Sequence, residues 1–462
     1  MASSHDGAGH NSLPEFGSEV LKHFLFDSDY RNLNHGSFGT IPRHIQNRLR
    51  HYQELYEARP DQFIRYDLPK LLDKSREAVA KLLNAPTETV VFVPNATIGI
   101  NTVLRNLVWN DDGRDEILYF NTVYGSCGKT IDYIVDSNSG LVSAKEITIA
   151  YPFEDDEAVA KFRHAVDSSR SVGKRPRVCL YDTISSLPGV VFPFENITRE
   201  CRKYGVLSLV DGAQGIGQIK LDLTALDADF FTTNCHKWLH TPRGCAILYV
   251  PLRNQALVPS TLPTSHGYVA KTGARFNPLP PTTKSPFVSN FEFVGTVDAS
   301  PFLCAKDAVK WREEVLGGED RIMAYTEWLA REGGKKAAQI VGTKIMDNKT
   351  RTLTKCALVN IAMPIHVSSS NRSSSATTTS TGYSSSVSMP TGEASVVCQW
   401  MSEVLVKDYK TFIPFFISAG QVWARLSAQV YLDMRDFEWA GKVLLDLAQR
   451  VGKREYKIKE RL

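Results

Sequence analysis

The chain lacks any cysteine pair of the CxxC kind. Its eight cysteines (Cys127, Cys179, Cys201, Cys235, Cys245, Cys304, Cys356 and Cys398) are scattered, mostly in apolar contexts such as Val178-Cys179-Leu180-Tyr181. That spacing offers neither a zinc site nor a disulfide frame; it fits small buried hydrophobes in a reducing compartment. No stretch approaches the ~18 apolar residues that a membrane span requires. Met1-Ala2-Ser3-Ser4-His5-Asp6 has neither the basic nor the apolar region of a signal peptide, and Glu460-Arg461-Leu462 is a poor peroxisomal address. A cytoplasmic location is therefore expected. Runs of one charge sign are missing as well: 54 Lys and Arg against 50 Asp and Glu leave a net charge of +4, which is no footprint for nucleic acid or an anionic membrane. There is no internal repeat. What remains is an ordinary globular composition, 43% hydrophobic and 23% charged. A length of 462 residues is enough to bury a large core, and two domains are expected.

Residues 1–17 are polar and Gly/Ser-rich and are expected to form a mobile arm. From Pro42 to Ala58, Ile45, Leu49, Tyr52, Leu55 and Tyr56 recur at helical spacing, with Pro42 suited to a first turn. Short continuous apolar runs come next along the chain: Thr89–Val93, Ile117–Phe120, Val178–Tyr181, Val206–Val210 and Ala246–Val250. Separated by helical segments, they predict a three-layer α/β domain with a mostly parallel sheet over 18–305. A smaller α+β domain is expected over 306–462. It opens on a helix, Ala305 to Leu316, closed by Gly317-Gly318, and contains strands at Cys356–Met363 and Val422–Ser427 and a helix at Phe437–Val451. Within it, 368–388 is almost entirely Ser and Thr and is expected to be a disordered surface insertion.

Three local patterns carry chemistry. Pro94-Asn95-Ala96-Thr97 comes after a strand and opens a helix; backbone N–H groups and the Thr97 hydroxyl suit a phosphate there, and Asn95 or Thr97 equally suits a plain N-cap. Leu209-Val210-Asp211-Gly212-Ala213-Gln214 ends an apolar strand in an acid, which can serve a ligand or cap the next helix, with Gln214 completing such a cap. Asn234-Cys235-His236-Lys237-Trp238 sets a lysine between a histidine and a tryptophan after an apolar run. A buried lysine is costly unless its charge is used or suppressed, though a lysine can also snorkel. Taken together, in this chain order, the three patterns suit a pyridoxal phosphate site: a lysine for the Schiff base and an acid to keep the pyridine nitrogen protonated. A nucleotide-binding module on Gly212, Gly215 and Gly217 is disfavoured, because the spacing is not GxGxxG and the strand comes late in the chain.

With Asp-Gly-Ala-Gln, Asn-x-His-Lys-Trp and the Arg-Leu-Ser of Arg425-Leu426-Ser427, the chain resembles the fold-type I, class V pyridoxal-phosphate enzymes, the aminotransferase and cysteine-desulfurase superfamily. The resemblance runs from about Asn32 to the C-terminus. It implies pyridoxal 5'-phosphate held by Lys237, Asp211 on the pyridine nitrogen, Gln214 on the phenolic oxygen, and Ala96, Thr97 and His236 on the phosphate. Gly295-Thr296 matches the pair through which a neighbouring subunit completes the phosphate site, implying a homodimer with shared active sites. Arg425 would clamp the α-carboxylate of a small amino-acid substrate. Tyr124 would stack on the cofactor and donate a proton to a leaving group. Asn32-Leu33-Asn34-His35-Gly36-Ser37-Phe38-Gly39 resembles the isopenicillin N epimerase-like branch, and Asn34 is a candidate substrate contact. Ala58-Arg59-Pro60, Cys127 to Tyr133, Thr261 to Gly267 and Asn290 to Thr296 are similar to the fungal ergothioneine-pathway C–S lyases. The implied reaction is β-elimination of hercynylcysteine sulfoxide, with an epimerase or cyclase as the alternative. Residues 416–421, leading into Arg425, are expected near the substrate pocket. Desulfurase chemistry is disfavoured: Cys398 reads as a buried helix position and Cys127 sits in the wrong segment for a mobile nucleophile.

Overall fold

The structure, a computed structural model, describes residues 13–273, 275–368 and 386–457. Most of the expected N-terminal arm and of the Ser/Thr tract lies outside the described residues. The apolar runs become strands of one seven-stranded sheet: β1 (Val90–Val93), β2 (Asp115–Phe120), β3 (Val142–Ile147), β4 (Arg175–Asp182), β5 (Leu207–Asp211), β6 (Phe230–Thr233) and β7 (Ala246–Tyr249), in the order β1-β7-β6-β5-β4-β2-β3. Only β7 runs against its neighbours. Strands β1, β6 and β7 are buried along their whole length, which is why they read as unbroken apolar runs. Edge strand β3 has buried ends, but burial alternates between them, with Ala144 and Glu146 exposed, so it carried no such signal. Phe230 and Phe231 are fully buried on successive faces; each large apolar side chain contributes about 1.5–3 kcal/mol on burial.

The helix predicted over 42–58 forms at Arg43–Ala58, with Pro42 as its N-cap rather than inside its first turn. The helix predicted at Ala305 begins earlier, at Ser300, and ends at Leu316 where Gly317 takes φ +82. A second sheet, β8 (Leu358–Ser368), β9 (Val387–Pro390), β10 (Phe415–Ser418) and β11 (Gln421–Ser427), has the order β10-β11-β8-β9. The helices Glu319–Val341 and Met434–Gly452 pack on its β8 strand. The fold class expected from the sequence is what is found. One hydrophobic cluster runs from Tyr181 and Phe231 in the large sheet to Ile361 and Leu426 in the small one.

Candidate active site

In a parallel sheet ligands gather beyond the carboxyl ends of the strands. Ala96 and Thr97, Tyr124, Asp211 and Gln214, and His236 and Lys237 end or follow β1, β2, β5 and β6 there. Arg425, by contrast, lies in β11, Thr296 in the loop after Pro286–Glu292 and Asn34 before His35–Phe38. Asp182 and Asp211 end β4 and β5 in register with each other. After β6 the chain makes one helical turn, Cys235–Trp238, which several groups hold in place. The Asn234 side chain accepts the Ala96 N–H at 2.9 Å. The Cys245 carbonyl accepts the His236 backbone N–H at 3.1 Å and its ring Nδ1–H at 2.9 Å. His35 donates from Nε2 to the Lys237 carbonyl at 2.5 Å, and its Nδ1 accepts from the Tyr431 hydroxyl at 3.0 Å. Burial, with Arg312 and Arg243 nearby, holds the His35 ring down to about 3 against the pull of that carbonyl, so it stays neutral. Arg312, paired with Glu319, donates to the Trp238 carbonyl at 2.7 Å. Gly39, at φ +63, lies so close that a Cβ there would land on the His236 carbonyl. The turn bearing the lysine is thus gripped from three sides.

Lys237 is half-buried as a residue. Desolvation lowers it to about 8; Asp211 and Asp182 oppose that shift and Arg425 adds to it. Asp211 is 3% exposed. Its carboxylate accepts the Ala213 N–H at 2.9 Å and the Cys127 thiol at 3.5 Å. Burial nevertheless raises its affinity for a proton, with Lys237 and these donors opposing. Gln214 accepts the Trp238 indole N–H at 2.7 Å and donates to the Gly36 carbonyl at 2.8 Å. Its orientation is fixed and one amide hydrogen is left over.

Arg425 is 2% exposed and every hydrogen-bond partner of its guanidinium is neutral. It donates to the Ser186 carbonyl at 2.7 Å, to Asn34 Oδ1 at 2.7 Å and to Ser37 Oγ at 2.9 Å, while its Nε has no partner. Among the described residues no carboxylate pairs with it. Burial lowers its affinity for its proton to about 10. The segment after β4 reaches this arginine because Gly189 exchanges both backbone hydrogen bonds with the Asn360 side chain, at 2.9 Å each. A Cβ on Gly189 would meet Arg425 Cδ at 2.7 Å.

Asn95, not Thr97, caps the helix Ala96–Asn106, accepting the Ile98 N–H at 2.9 Å. Ala96 spends its N–H on Asn234, so its backbone donor is not free for a phosphate as expected. The Thr97 N–H and hydroxyl have no partner among the described residues. His236, held to about 4 by burial, keeps Nε2 free. Tyr124 stands at the N-cap of Gly125–Ser137 and is 49% exposed. Thr296 is exposed in the loop after Pro286–Glu292 and makes no hydrogen bond to the other site residues. Residues 416–421 span β10 and the turn at Ala419-Gly420 that leads into β11, and the Pro414 carbonyl just before β10 accepts the Arg425 N–H. Cys127 is buried, and burial lifts the Cys398 thiol to about 11; neither is a ready nucleophile. Sequence reasoning missed Asp182, although it ends an apolar strand just as Asp211 does. It gave no role to His35 or Ser37, although both lie in the motif around Asn34, and it missed Ser186, which carries no local signal.

The profile of the family described as aminotransferase class-V matches residues 40–362. The chain belongs to this family. It is therefore a pyridoxal-phosphate-dependent enzyme, and a lysine of lowered basicity beside a buried acid suits that cofactor. The class-V chain is 34% identical over 452 residues to the L-cysteine desulfhydrase-like protein lolT1 of Epichloe uncinata, covering 95% of this chain and 97% of that one. It is 31% identical to the hercynylcysteine sulfoxide lyase of Schizosaccharomyces pombe, covering 93% and 97%. Among solved structures, a C-DES mutant with glycine covalently linked to the PLP cofactor shares the fold, with a TM-score of 0.68 at 17% identity over 91% of this chain and 97% of that one.

Proposed function

We propose that this class-V enzyme is a carbon–sulfur lyase that cleaves hercynylcysteine sulfoxide by β-elimination in ergothioneine biosynthesis, in the cytoplasm and as a homodimer. The observation that carries an amino-acid substrate is Arg425: a buried guanidinium with only neutral partners, close enough to Lys237 to depress its basicity. A buried charge without a counter-charge is costly, and an α-carboxylate would supply one with bidentate geometry. Asn34 and Ser37 hold the fork ready. The names of the two relatives support cleavage next to sulfur.

When bound, pyridoxal phosphate supplies an aldehyde for the amine and a protonated ring that withdraws electrons from Cα. Lys237 attaches the cofactor and, once freed, accepts the Cα proton at Nζ; a basicity near 8 suits a base working near neutrality. Asp211 holds the proton on the ring nitrogen, and the spare amide hydrogen of Gln214 serves the phenolic oxygen. Thr97 and His236 take the phosphate. A phosphate at Nε2 would reverse the depressed basicity of His236. Tyr124, reachable at the cleft, donates a proton to the departing sulfur. Thr296 of one protomer completes the phosphate site of its partner. Cβ–S cleavage releases the sulfur fragment, and the three-carbon remainder leaves after hydrolysis as pyruvate and ammonia. Incubation with hercynylcysteine sulfoxide should yield one pyruvate per sulfur-containing fragment; racemised or cyclised product without pyruvate would overturn the lyase reading.

A further inference from the structure

The second strand-end acid has a distinct chemical setting. Asp182 on β4 pairs in register with Asp211 on β5, and both strands run in parallel. Neighbours so paired project from the same face of the sheet, with their strands about 4.8 Å apart. Asp182 is 8% exposed. Its carboxyl has no hydrogen-bond partner among the described residues, whereas Asp211 accepts from Ala213 and Cys127. The groups facing Asp182 are Asp211, Lys237, the Cys127 thiol and the Tyr151 phenol. Arg425 lies beyond, acting on Lys237.

Lys237 is therefore one positive charge for two carboxyls. Two adjacent buried carboxylates do not both ionise readily. The anion belongs on Asp211, where an N–H and a thiol stabilise it, and the proton belongs on Asp182, which has no such donors. A ring nitrogen in the site brings one positive charge and needs one carboxylate, not two.

We propose that Asp182 is a positioning residue acting as a neutral acid, holding the pair's single proton so that one directed negative charge, on Asp211, faces the cofactor ring. This rests on the proposed cofactor contacts. The test compares holoenzyme with Asp182→Asn and Asp182→Ala. The readouts are the dissociation constant for pyridoxal phosphate, the pH titration of the visible band, and the infrared carbonyl stretch of protonated carboxyls at neutral pH. An amide mimics a neutral acid, so Asp182→Asn should keep the affinity within about threefold and leave the band's titration in place, while Asp182→Ala should weaken binding about tenfold. One protonated-carboxyl stretch should vanish in Asp182→Asn. Weakening by Asn as large as that by Ala, or no carboxyl stretch lost, would overturn the proposal. The infrared comparison decides the matter if the alanine variant does not fold. A parent protein that takes up no pyridoxal phosphate would instead defeat the cofactor reading.

Discussion

The ends of β4, β5 and β6 and the interior of the small sheet handle buried charge in opposite ways. At the strand ends, Lys237 sits among Asp211 and Asp182, so that charge is largely answered within the protein. At β11, Arg425 has three side-chain oxygens (Asn34, Ser37 and, at 3.5 Å, Ser186) and a backbone carbonyl, all neutral, and an orphan Nε. The first arrangement lowers the basicity of one amine; the second leaves a buried guanidinium with no carboxylate partner among the described residues. Under the proposed function, the first region sets reactivity and the second selects the substrate.

Lys237→Ala should break the first region most completely. Borohydride reduction should fix no cofactor to the variant, and turnover should fall by about ten-thousand-fold. A variant that still turned over would remove the lysine from the chemistry. Tyr124→Phe should lower kcat by about a hundredfold with cofactor attachment unchanged; equal losses in both would reduce Tyr124 to packing. Arg425→Lys, keeping the charge and losing the planar fork, should raise KM by tens-fold, on the order of 2 kcal/mol, with the visible spectrum of the bound cofactor unaltered. If kcat fell while KM stayed, the division between the two regions would collapse.

A pH series sharpens the first region. Because folding holds the Lys237 amine at about 8 rather than 10.5, its neutral, nucleophilic form gains about tenfold per pH unit below 8 and levels off above it. The rate of covalent cofactor attachment to apoprotein should track that curve; a rise continuing to pH 10 would show an unperturbed lysine. The smallest effect belongs to Asn34→Ala, which removes one of the neutral partners of Arg425 and should raise KM about fivefold.

Much of the site was legible because its signals are local. A buried strand ending in an acid, or a lysine flanked by His and Trp after Phe230-Phe231, announces itself in a few consecutive residues. Edge strand β3 stayed hidden because only its two ends are buried, and Asp182 was passed over despite the same strand-end signal as Asp211. The pairing of 416–418 with β11 through the turn at Ala419-Gly420 is a tertiary fact that sequence order does not show.

The sequence by itself determined the fold class and the family, and pointed to a lysine and an acid at neighbouring strand ends, because burial along strands and short motifs are written in neighbouring residues. Only the tertiary structure decided that Asn34, Ser37 and Ser186, from two distant segments, supply neutral partners to Arg425, that His35 and Arg312 grip the lysine turn, and that Asp182 shares its position with Asp211. Such pairings join residues up to 391 positions apart. They arise from sheet register and close backbone approach, which no run of adjacent residues encodes.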